Sequence, residues 1–160
     1  MYIYENDRNK MTTQADSLQN MVSFVEKLQR YDEKTLTIPI KPGKWSTREI
    51  IGHLYYWDRY LIEAMIPHIA EGAVLPPFPN HDVYNRAAIA SLEGRNASRI
   101  IDGFISGRKL LIEQISSLDD KIAFKIRGSE EIFTTDKIID KFFKHDKLHQ
   151  GQIETFLSNE

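Results

Sequence analysis

The chain has 160 residues, 41% of them hydrophobic and 28% charged, with a net charge of −2. That balance suits one soluble domain spanning residues 1–160, and it argues against nucleic acid held by bulk electrostatics. The absence of cysteine excludes disulfides, thiolate metal ligands and a cysteine nucleophile, so any metal must be held by His, Asp or Glu.

No apolar run reaches the roughly 18 residues that a bilayer span requires. The start, Met1-Tyr2-Ile3-Tyr4, lacks the pattern of a signal peptide, so a cytoplasmic protein without a membrane partner is expected. Residues 1–11 show no period and read as a lead-in. Leu18, Met21, Val22, Val25 and Leu28 recur at helical spacing and predict a first helix near 12–30, with Thr12 or Thr13 to cap it. Two prolines and a glycine make residues 31–45 a loop.

Ser46 followed three positions later by Glu49 is a capping box. It predicts a second helix from 46 to about 71, with Ile50, His53, Leu54, Trp57, Leu61 and Met65 on its inward stripe. Pro67 should kink or end that helix early. Residues 72–82, with Pro76, Pro77 and Pro79, read as a stiff loop. A short helix within 83–95 is expected, and a third long one near 97–118 with Ile101, Phe104, Leu111 and Ile115 inward. The four-residue spacing of Gly103 and Gly107 suits close approach of a neighbouring helix, or simple tolerance. The alternation of Ile122, Phe124 and Ile126 before Gly128-Ser129 predicts a small hairpin or an extended loop.

The last helix, near 134–157, carries His145-Asp146-Lys147-Leu148-His149. Histidines at i and i+4 project from one helical face, the spacing at which two imidazoles can share an ion. Steps of three and four connect Ile138, Phe142, His145, His149, Ile153 and Phe156, so both histidines lie within the apolar stripe. Buried imidazoles need partners, because an unpaired buried polar group costs roughly 1–3 kcal/mol. A shared cation is one partner; backbone, water or neighbouring side chains are others. His53 lies on the stripe of the second helix, whereas His68 and His81 read as surface or loop residues.

Four amphipathic helices with connections of unequal length predict an all-α four-helix bundle with long loops. If the second and fourth helices face each other, His53, His145 and His149 meet. Three imidazoles with an open position match a catalytic rather than a structural metal site. Trp57, one turn beyond His53, should wall that site or the core beneath it. Tyr56 and Gln152 share the histidines' faces and can bond substrate or water there, or do nothing. Glu49, one turn before His53, or a backbone carbonyl should accept the remaining imidazole N–H.

Gly43-Lys44-Trp45-Ser46, Glu49-Ile50-Ile51-Gly52-His53-Leu54, Phe133-Thr134 and the run from His145 to Ile153 together resemble the DinB-like superfamily. A weaker match runs from Asp82 through Asn85 to Arg108, Leu110, Leu111 and Leu118, so the resemblance covers roughly residues 14–157. It implies a four-helix bundle, a nickel, zinc or iron ion on His53, His145 and His149, and a homodimer. It also implies a small-molecule substrate, with relatives that transfer or use low-molecular-weight thiols such as bacillithiol and mycothiol. The family often carries a further histidine where this chain has Leu148.

The leading expectation is therefore a metal-dependent transferase that moves a low-molecular-weight thiol to an electrophile. The lack of cysteine fits an imported thiol. A metal-dependent hydrolase, or a bundle that binds a metal or small ligand without catalysis, are the alternatives.

Overall fold

The computed structural model describes residues 3–160 and the side chains of residues 14–160. Helices α1 (Ile3–Leu28), α3 (Thr47–Tyr60), α5 (Ala97–Ser116) and α6 (Thr135–Ser158) form the bundle. Two shorter helices, α2 (Glu33–Thr37) and α4 (His81–Ala90), occupy the connections. Helix α1 packs on α5 and α6, while α3 packs on α5, α6 and α4. The second and fourth long helices thus do face each other.

The helical period explains the packing. Leu18, Met21, Val22, Val25 and Leu28 are each no more than 1% exposed, and burying such a side chain contributes about 1.5–3 kcal/mol. Ile50, Ile51 and Leu54 of α3 meet Ile100, Ile101 and Phe104 of α5 in one cluster. Ile138 and Ile139 of α6 join Leu111 and Ile115 in a second.

Several boundaries differ from the expected ones. Helix α1 begins at Ile3 and runs through positions 12 and 13, so neither threonine starts it; their side chains lie outside the described residues. Asp32 caps a short helix inside the expected loop by accepting from the Thr35 N–H at 2.8 Å. The Ser46–Glu49 capping box is present. Helix α3 stops as a regular helix at Tyr60, then widens into a π turn over Leu61–Met65 and tightens into a 3-10 turn over Ile66–His68. Pro67 has no N–H for the carbonyl four residues back, and its ring crowds that carbonyl, so the ladder changes pitch there.

Residues 74–75, expected as loop, form strand β1 (Val74–Leu75). It pairs in parallel with β2 (Ala123–Ile126), which pairs antiparallel with β3 (Ile132–Thr134) in the expected hairpin. Phe124 and Ile126 turn inward, and Phe124 stands opposite Phe133. This three-stranded sheet tethers the connection after α3 to the one before α6.

One glycine is required by contact. A Cβ on Gly52 would collide with the buried Leu92 side chain, so α3 meets Leu92 through bare backbone. Gly103 and Gly107 are different: a Cβ on either would meet the Tyr55 ring at 3.6 or 3.8 Å, ordinary contact.

Candidate metal centre

Helix α3 carries His53, 1% exposed, into the space between itself and α6. Helix α6 brings His149, 9% exposed, and half-buried His145 from one turn away. The three ring centres lie 4.5, 4.6 and 5.4 Å apart. One ring nitrogen from each histidine falls within 4.8 Å of the other two.

In His53 and His149 the second ring nitrogen is fixed by a hydrogen bond. His53 Nδ1–H donates to the Ile50 carbonyl at 2.6 Å. The backbone carbonyl, not the Glu49 carboxylate, therefore orients this ring; Glu49 is engaged with Ser46. His149 Nδ1–H donates to Gln152 Oε1 at 2.8 Å. Both bonds leave Nε2 with its lone pair free for a shared point. His149 Nε2 and His145 Nε2 are 3.1 Å apart. Two nitrogens each about 2.1 Å from one ion stand about 3.0–3.4 Å apart for interligand angles near 90–110°, so the pair is spaced for a common cation.

The electrostatics favour neutral imidazoles. Burial, then the neighbouring His149 and His145, lower the pKa of His53 to about 3. Burial, then His149, lower that of His145 to about 4. His149 is also lowered, chiefly by burial. Protonated rings would repel each other here, whereas neutral rings are ready to act as ligands.

A buried ion network stands behind the histidines. Arg108 of α5, 2% exposed, bonds Asp58 of α3 through Nε at 2.7 Å and Nη2 at 3.0 Å. It bonds Asp146 of α6 through Nη1 at 2.5 Å and Nη2 at 3.0 Å. The Phe104 ring lies 4.8 Å from the guanidinium carbon. Asp146 sits between the two α6 histidines in sequence, so this clamp fixes the rotation of α6 that aims them. Burial raises Asp58 to a pKa of about 6, with Arg108 pulling the other way, while the two carboxylates hold Arg108 protonated.

Two clefts with no lining residue in common reach the histidines, one at His149 and the other at His145. One is a wide groove bordered by Lys41, Lys44, Trp45, Lys147, His149 and Gln152. The other, of about 130 Å³, is lined by Trp57, Phe78, His81, Asn85, Lys141, Phe142 and His145. Trp57 is 6% exposed and donates its indole N–H to Asn85 Oδ1 at 2.8 Å, so it both packs the core and walls this cleft.

Gln152 reaches the centre as a partner of His149. Tyr56 does not: its ring packs against Tyr55 and Arg59, and it lines neither cleft. Of the residues found here, Trp45 and Asn85 enter the sequence reading only through the family resemblance, and Lys141 does not enter it. Trp45 packs its ring 4.7 Å from that of His53; its place just before the capping Ser46 was the available signal. His81, expected as a surface or loop residue, begins α4 and lines the aromatic cleft with its ring 5.2 Å from that of Trp57. Asp58 is legible in the sequence only as a charge on an otherwise apolar stripe, and Arg108 as such a charge within the weaker stretch of family resemblance.

Helix order, packing and this triad define an all-helical bundle with a three-histidine centre suited to a divalent ion. The chain belongs to the DinB superfamily, whose family model matches residues 15–153. A solved structure similar to it is YfiT from Bacillus subtilis, described as a probable metal-dependent hydrolase with an unusual four-helix bundle topology. The two are 15% identical with a TM-score of 0.71, over 93% of this chain and 86% of that one. At that identity the likeness is one of fold. No curated protein matches the chain. Among the described residues, no helix is long and apolar enough to cross a membrane.

Proposed function

We propose that the protein is a metal-dependent enzyme in which His53, His145 and His149 hold a divalent nickel, zinc or iron ion, and that it transfers a low-molecular-weight thiol to an electrophilic small molecule. The observation that carries this reading is the meeting of two separate clefts with the triad, one at His149 and the other at His145. Two reactants can approach one centre through two clefts.

A divalent ion held there supplies Lewis acidity, which makes the nucleophilic form of a thiol or of water available near neutral pH. The chain's own residues hold the imidazoles neutral and aimed. Ile50 O and Gln152 Oε1 take the Nδ1 protons of His53 and His149, and the Arg108 clamp holds α6 in register. Trp45 packs on His53, and Trp57 walls the cleft that His145 lines, so both bring apolar surface to the surroundings of the centre. Glu49 and Asp146, the carboxylates nearest the triad in sequence, are engaged with Ser46 and Arg108. A thiol, with an ordinary pKa near 8.5, needs less help from a protein base than water does.

Hydrolysis is the second reading, favoured by the description of YfiT. The test is turnover by protein loaded with each metal. A thiol with an activated aryl halide or epoxide is assayed beside esters and amides without thiol. Thiol-dependent consumption supports transfer. Thiol-independent hydrolysis overturns it for the second reading. Stoichiometric metal with neither activity makes the protein a binding bundle. The same reading includes a homodimer, which light scattering at micromolar concentration tests.

A further inference from the structure

We propose that the cleft beside His145 is a subsite for a planar, apolar carboxylic acid, with the ring lying between Trp57, Phe78 and Phe142 and the carboxylate on Lys141.

The cleft volume of about 130 Å³ is close to that of an apolar cavity that accepts benzene. Its walls are aromatic and braced. The Trp57 indole is held by Asn85, and the Tyr84 ring packs 4.4 Å from it. Phe78 lies 6.3 Å from Phe142 and 5.8 Å from Tyr60, ring centre to ring centre. These rings already pack on one another, so they form a braced aromatic wall, and a further ring seated in the cleft can meet it in the offset or edge contacts at about 4.5–7 Å that aromatic pairs prefer.

Lys141 supplies the charge. Its ammonium lies 5.6 Å from the centre of the Phe78 ring, at the cleft's edge. Among the described residues no carboxylate lies within ion-pair distance of it, although the next lysine on α6, Lys144, is paired with Asp140. The cleft is lined by no acidic side chain. An anion entering it meets a cation without displacing an internal partner.

Position completes the argument. Lys141 precedes His145 by one turn of α6, about 6 Å of helical rise. An acid seated on Lys141 therefore presents to the centre a bond about one ring diameter from its carboxylate. That last step rests on the metal-enzyme reading above; binding of the acid does not.

The test uses full-length, metal-free protein titrated with benzoate, benzyl alcohol and acetate. NMR reads the Trp57 indole N–H, assigned through Trp45→Phe. Benzoate is expected to bind at least tenfold tighter than either of the other two and to shift the Trp57 signal. Lys141→Met, a change at an exposed position, should bring benzoate down to the level of benzyl alcohol, while Lys141→Arg keeps the preference. Phe78→Ala should weaken benzoate and benzyl alcohol alike. Benzoate binding no tighter than benzyl alcohol overturns the proposal. So does a preference that survives in Lys141→Met, which would place the anion elsewhere. Elemental analysis of the protein as purified, before its metal is removed, separates this result from the fate of the metal reading.

Discussion

Replacing Arg108 by Met removes one cation from between two buried carboxylates. Asp58 and Asp146 are 2% and 3% exposed and lose four hydrogen bonds between them. Breaking a buried pair by removing one partner costs about 3–5 kcal/mol, because the charge left behind has no water and no counter-ion. For a chain of this size each kcal/mol lowers Tm by about 2–4 °C, so a fall of about 6–20 °C is expected. Thermal unfolding of metal-free protein, followed by circular dichroism, measures it. The triple variant Asp58→Asn, Arg108→Met, Asp146→Asn leaves no unpaired charge and should regain at least half of the loss. A single variant melting within about 2 °C of the parent, or a triple variant no better than the single one, would refute the claim that this clamp holds the three helices together.

Gln152→Leu removes the acceptor for His149 Nδ1–H, so zinc affinity should fall about 10–100-fold with Tm unchanged; Gln152→Glu should keep it, and equal affinity in all three would show that Gln152 orients nothing. Gly52→Ala forces a Cβ against Leu92 and should destabilise by about 1–3 kcal/mol, whereas Gly103→Ala meets only ordinary contact and should be neutral or stabilising; the reverse order in chemical denaturation would contradict the packing described. His53 and His145 titrate near 3 and 4, below the ordinary 6.5. Below about pH 6.5 the unfolded chain therefore takes up protons that the folded one refuses, and the metal-free protein should lose stability as the pH falls toward 4. Asp58, raised to about 6, acts in the opposite sense, because its folded form keeps a proton that the unfolded carboxyl releases over the same range. His149 is lowered as well, so one group stands against three; Tm at pH 5 should lie below Tm at pH 7.5, and a higher Tm at pH 5 would mean that the imidazoles are not held neutral.

Period and punctuation made the helices legible. Leu18 through Leu28, the Ser46–Glu49 box and the stripe from Ile138 to Ile153 are local patterns, and local patterns need no partner to be read. The same holds for His145 and His149, whose i, i+4 spacing places them on one face whatever surrounds them. Their meeting with His53 was conditional on α3 and α6 being neighbours, and that is a property of packing across a long stretch of chain. The Arg108 clamp, the aromatic cleft and the strand at Val74–Leu75 were beyond the sequence for the same reason. Each joins residues from connections or helices far apart, and a lone Arg on a stripe, a proline-rich loop or a two-residue strand has no period of its own. Gln152 shows the limit most simply: the sequence put it on the right face, but only the fold showed that its carbonyl oxygen is taken by His149.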